Sequence, residues 1–101
     1  MSIKKEYPKN KRVCRVTFEV PELIGNGADK VYVVGEFNNW STTSTPMKRK
    51  KSGAFTATLD LQKGQEYQFR YLLVEDHWEN EAEADKLAPT PFGNLNSVIV
   101  V

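Results

Sequence analysis

An all-β sandwich is what this chain predicts, and three observations carry that expectation. Apolar and polar residues alternate with a period of two along several short runs. Turn residues punctuate those runs at regular intervals, and no long stretch holds a helical period.

Taken in chain order, residues 1–11 read as a flexible polar leader, and one domain is expected over 12–101. In Cys14-Arg15-Val16-Thr17-Phe18-Glu19-Val20 the even positions are apolar and the odd ones polar, the pattern of a half-buried strand. Cys14 falls on the inner face, so it reads as a small core hydrophobe. Gly25-Asn26-Gly27 signals a turn. Val31-Tyr32-Val33-Val34 is a strand, and Gly35-Glu36-Phe37-Asn38-Asn39-Trp40 comes directly after it. Asparagines tolerate the left-handed angles of a tight turn, which sets Trp40 on a rigid corner near the surface.

Lys48-Arg49-Lys50-Lys51 beside Ser52-Gly53 caps a solvated hairpin. From Ala54 to Leu61 the alternation returns, with Phe55, Ala57, Leu59 and Leu61 inward. Lys63-Gly64 turns the chain into Tyr67-Gln68-Phe69-Arg70-Tyr71-Leu72-Leu73. There Tyr67, Phe69, Tyr71 and Leu73 share one face, while Gln68, Arg70, Leu72 and Val74 share the other. A helical turn or two on the surface is expected within Glu79 to Leu87. Pro89-Thr90-Pro91 and Gly93 mark a last turn before the closing strand Ser97-Val98-Ile99-Val100-Val101. The architecture these strands imply is an immunoglobulin-like β-sandwich, with Val16, Phe18, Val33, Phe37, Phe55, Leu59, Phe69 and Tyr71 in its core.

Composition narrows the function classes. At 101 residues, 40% hydrophobic and 27% charged, the chain fits one globular domain. A net charge of +1 gives no general attraction to nucleic acid or anionic lipid. A single cysteine excludes an internal disulfide framework. No apolar stretch approaches the roughly 20 residues of a membrane span, and the basic N-terminus lacks the apolar core of a secretion signal. A monomeric cytoplasmic domain is the expectation, with neither nucleic acid nor membrane as partner. Without a secretion signal, the glycosylation triplet Asn39-Trp40-Ser41 is discounted.

Catalysis finds little support. Glycoside hydrolysis needs two carboxylates across a cleft, whereas Glu75, Asp76, Glu79, Glu81, Glu83 and Asp85 form a charged surface run. His77, the only histidine, has no serine or cysteine nucleophile in a recognisable arrangement. One Cys and one His are too few for zinc. No catalytic residue, metal or cofactor is expected. What stands out is two indoles, Trp40 and Trp78, each placed just after a strand. Together they offer a platform for a flat, weakly polar surface such as a sugar ring.

The strand–Gly-x-Phe-Asn-x-Trp element at 31–40, the Leu61-Gln62-Lys63-Gly64 hairpin, Trp78 and the loop Phe92-Gly93-Asn94-Leu95-Asn96-Ser97 carry a resemblance. Over about 13–101 the chain resembles carbohydrate-binding module family 48 and the isoamylase N-terminal early-set domains, including the glycogen-binding domain of the AMP-activated protein kinase β subunit. The resemblance implies a non-catalytic module for α-1,4-linked glucans that tethers or regulates a separately encoded glucan-active enzyme. It implies that Trp40 and Trp78 stack on glucose rings, and that Arg70, Phe92, Asn94 and Asn96 complete the site. Two stretches depart from the family pattern. Val74-Glu75-Asp76-His77 lacks a glycine, and Glu79-Asn80-Glu81-Ala82 lacks the Asp-Pro pair; both bear on how Trp78 is presented. Taken alone, and as the lesser reading for each, Trp40 would plug the end of the sandwich and Trp78 would pack in the core or at an interface. The same early-set fold also serves as a protein-interaction or spacer domain, a hydrolase relative by descent only. The discriminating observation is whether Trp40, Trp78 and Phe92 form one exposed concave patch.

Overall fold

The computed structural model describes residues 1–9, 11–25, 28–73 and 77–101. Among the described residues, nine strands fall into two antiparallel sheets. The first has the order β1 (Ser2–Glu6), β2 (Val13–Val20), β5 (Phe55–Gln62), β4 (Lys48–Arg49). The second runs β3 (Tyr32–Gly35), β6 (Glu66–Leu72), β9 (Leu95–Val100), β8 (Lys86–Pro89), and β7 (Trp78–Glu79) also pairs with β6. A short helix, α1 (Glu22–Gly25), comes after β2. This is the predicted sandwich.

The core lies where the inner faces meet. In the first sheet, register sets Val16 opposite Leu59, Phe18 opposite Ala57 and Val20 opposite Phe55. In the second, Val33 pairs with Tyr71 and Gly35 with Phe69. Phe18 joins the layers: its ring centroid lies 5.2 Å from Phe69 and 6.3 Å from Tyr71, both edge-to-face. Such pairs add about 0.5–1.5 kcal/mol beyond area burial. Of the residues expected inside, Phe37 and Leu59 are only partly buried, though both pack against the core. Cys14 is fully buried, as a core residue should be.

Two expectations are corrected. Residues 1–11 are not wholly a leader, because Ser2–Glu6 form β1 and complete the open edge of β2, pairing Ile3 with Phe18. With Ile3 its one apolar residue, the run Ser2-Ile3-Lys4-Lys5-Glu6 shows no alternation of its own. Lys5 Nζ then reaches Asp85 Oδ2 at 2.7 Å, tying the first sheet to the loop before β8. Nor does Glu79–Leu87 form a helix. Trp78–Glu79 and Lys86–Pro89 are strands, with Lys86 opposite Val98. The intervening turn is held by the Glu81 carboxylate, which accepts from the Glu83 N–H at 2.7 Å. A side chain bonding its own backbone in this way competes with a helix.

The basic run Lys48-Arg49-Lys50-Lys51 does sit on a hairpin, between β4 and β5, with all four residues exposed. The expected turn residues Asn26 and Gly27 lie outside the described residues, as do Val74 and the carboxylates Glu75 and Asp76.

Candidate functional site

Four separate segments build one end of the second sheet. The first begins at Gly35, where a Cβ would lie 2.6 Å from Gln68 O and 2.7 Å from Phe69 Cβ. No other residue lets β3 approach β6 so closely. The chain then leaves the sheet through a 3-10 turn, Glu36–Asn38. Asn38 pins that turn, its Oδ1 accepting from the Gly35 N–H at 3.0 Å and its Nδ2 donating to Val33 O and to Thr45 Oγ1. Asn39 (φ 56°) and Trp40 (φ 57°) are both left-handed. For a bulky aromatic residue that conformation costs roughly 1–2 kcal/mol. The Trp40 N–H returns to Gly35 O at 2.8 Å and closes the corner. The indole is left 40% exposed.

Arg70 supplies the second element from the outward face of β6. Its Nη2 donates to Leu95 O at 2.9 Å. Its Nε is buried without a hydrogen-bond partner among the described residues.

Trp78 is the third element. β7 holds it opposite Leu72, and the Leu73 N–H donates to His77 O at 2.9 Å. The segment after Trp78 is tied down by side chains. Asn80 Oδ1 accepts from both the N–H and the Oγ of Ser97, at 3.0 and 2.8 Å, while Nδ2 donates to Leu95 O at 2.9 Å. The Glu81 N–H donates to Ser97 Oγ at 2.8 Å. The buried Glu81 carboxylate accepts from Tyr71 Oη at 2.7 Å. Burial, then the neighbouring Glu81 charge and hydrogen bond, push the Tyr71 phenol well above its ordinary pKa.

The β8–β9 hairpin gives the fourth element. Thr90 organises it, accepting from the Phe92 N–H at 3.2 Å and donating from Oγ1 to Asn94 Oδ1. Gly93, at φ 86°, makes the left-handed turn. Phe92 is left 90% exposed. Asn96 Nδ2 donates to Gln68 Oε1 at 2.9 Å, fixing the amide on the sheet.

These segments enclose one open groove of about 320 Å³. Trp40, Arg70, Trp78, Phe92, Asn94 and Asn96 all line it, joined by Thr90 and Pro91. Every candidate residue named from the sequence therefore reaches the same place. Trp40, Trp78 and Phe92 share that concave surface and do not scatter into the core. Sequence reasoning passed over Thr90 and Pro91, which it saw only as turn formers, and Asn80, whose partners lie on another strand. Among the described residues no cluster of three or more His, Cys, Asp or Glu side chains could hold a metal ion.

A match to a family model places this sandwich among the carbohydrate-binding modules, a non-catalytic class of domain. The chain belongs to the family described as the glycogen recognition site of AMP-activated protein kinase, whose model matches residues 24–101. It is similar to the 5'-AMP-activated protein kinase subunit beta-1 of Sus scrofa, 35% identical over 75 residues, 74% of this chain and 57% of the pig sequence. The beta-1 subunit of Homo sapiens is 33% identical and the beta-2 subunit of Mus musculus 32%, each over 74% of this chain and 26% of the relative. The chain thus spans about half of one of these relatives and a quarter of the others.

Proposed function

We propose that this chain binds α-1,4-linked glucans, such as glycogen, starch and malto-oligosaccharides, and does no chemistry on them. One observation carries the reading: the residues expected to hold sugar, drawn from four distant segments, line a single open groove. The apolar face of a pyranose ring lies on the indoles of Trp40 and Trp78, with Phe92 against the chain from the loop side. Its hydroxyls meet the amides of Asn94 and Asn96 and the guanidinium of Arg70. None of the described residues lining the groove is a carboxylate, so they offer neither acid nor nucleophile to a glycosidic bond.

An open groove over which none of the described residues forms a lid buries little of its ligand, and affinity for short oligosaccharides is accordingly weak. The module acts in the cytoplasm as a monomer and brings a separately encoded glucan-active enzyme to its polymer, or regulates it there. The relatives are named as subunits of a kinase, which supports association with another chain and nothing finer.

Retention on glycogen or amylose tests the binding. Wild-type chain is retarded, and Trp40→Ala is not while keeping its circular dichroism spectrum. Equal retention of the two removes Trp40 from the site. A reducing-sugar assay on glycogen and maltoheptaose tests the rest, and sustained product release from highly purified protein overturns the non-catalytic reading.

A further inference from the structure

A second depression of about 280 Å³ lies on the outer face of the same sheet. Gln68, Val98 and Ala88 belong to its lining, with Glu36, Glu66 and Lys86. Register makes it a neighbour of the first groove: Ala88 pairs with Asn96, and Gln68 with Val98. The Asn96–Gln68 hydrogen bond of 2.9 Å joins a residue of one groove to a residue of the other. Along β6, Arg70, Gln68 and Glu66 point outward in succession, about 6.6–6.8 Å apart. Lys86 is ion-paired with Glu66, and the Glu36 carboxylate accepts from the Gln68 N–H at 2.6 Å.

We propose that this depression is an extension subsite, which takes the part of an α-glucan chain that runs beyond the aromatic groove. The inference rests on the glucan reading above. Its chemistry differs from that of the first groove. Among the described residues no aromatic side chain lines it, so there is no stacking; beside an apolar floor of Leu87, Ala88, Pro89 and Val98, two carboxylates, an ammonium and an amide offer acceptors and donors to hydroxyls. Polar groups set over an apolar floor beside a stacking site add affinity only when the ligand is long enough to reach them. The module therefore discriminates glucans by length, favouring a polymer interior over a short fragment.

Titration calorimetry with maltotriose and maltoheptaose reads this directly. Wild-type chain binds maltoheptaose roughly tenfold more tightly than maltotriose. A longer chain also has more ways to occupy the first groove, but that advantage is the same for every variant and cancels when they are compared. The double variant Glu66→Ala, Lys86→Ala removes an exposed ion pair that contributes little to folding. Ala88→Phe fills the depression. In both, maltotriose affinity stays at the wild-type value and the preference for maltoheptaose shrinks severalfold. An unchanged preference in both variants overturns the extension and leaves the aromatic groove in place. So does a loss that is equal for the two sugars, which would locate the effect in the first groove. If wild-type chain binds neither sugar, the glucan reading fails, and the extension with it.

Discussion

Arg70 and Asn80 donate to the same oxygen, the Leu95 carbonyl, each at 2.9 Å. One residue lines the groove and the other does not, yet a shared acceptor fixes both against β9. Asn80 lies two positions beyond Trp78, so the position of the guanidinium and that of the second indole are set by one junction. Asn80→Ala removes the acceptor for the Ser97 N–H and Oγ, and should cost about 1–3 kcal/mol of stability. Glucan retention should weaken together with a change in the near-ultraviolet dichroism of the indoles. Asn80→Asp keeps the acceptor and loses the donor, and should fall between wild type and alanine. An Asn80→Ala variant with unaltered dichroism and retention would show that the junction does not position the site.

The left-handed corner at Trp40 separates binding from stability. Trp40→Gly should be more stable than Trp40→Ala by about 1 kcal/mol, because glycine accepts this backbone region and alanine does not. Both should lose glycogen retention alike. Denaturant melts of the pair measure the difference, and identical midpoints would mean that the corner opens when the indole is removed.

Phe69 is fully buried and meets the rings of Phe18, Phe37 and Tyr71. Replacing it with alanine should cost about 3–5 kcal/mol. A neutral thermal melt would place it outside the core.

Acid should loosen the tie between the sheets. Partial burial raises the Asp85 pKa, but the Lys5 hydrogen bond, the Val100 N–H and the Lys5 charge outweigh it and hold the carboxyl below its ordinary value. A carboxyl depressed on folding contributes stability that is present above its unfolded pKa of about 3.9, and that is lost as pH falls through the folded value. Asp85→Asn should therefore differ from wild type at neutral pH and converge with it in acid. Parallel stability curves across that range would mean that Asp85 contributes nothing.

Salt should matter little to retention, since the proposed ligand is neutral and the chain carries a net charge of +1. Elution by moderate sodium chloride would point to a charged ligand instead.

How legible each element is in the sequence depends on how it is held. β2 and β5 have eight residues each and β6 has seven, enough alternation to declare a face without help. β4 and β7 have two residues each, and exist because β5 and β6 offer them hydrogen bonds. β1 is the same case at greater length, an edge recruited by β2. Of the groove, residue type and position alone mark Trp40 and Trp78; Arg70, Phe92, Asn94 and Asn96 are marked only by the family resemblance, because an outward arginine otherwise reads as solvated and loop asparagines as turn formers. Asn80 and Glu81 are marked by neither, because what they do is decided by Ser97 and Tyr71, which no local pattern connects to them. In a charged run they read as solvated surface; in the fold Glu81 is 3% exposed.

The groove draws on the corner after β3, the middle of β6, the start of β7 and the hairpin between β8 and β9. No single hairpin assembles it, so it comes into being only when the whole second sheet does. A ligand that settles there engages the native state and ignores the denatured one, which makes occupancy and folding a single linked equilibrium. Each tenfold rise in free ligand above its dissociation constant should then add about 1.4 kcal/mol to the unfolding free energy. The melting temperature of the domain becomes a gauge of affinity, readable even when the interaction is too weak to survive a column wash.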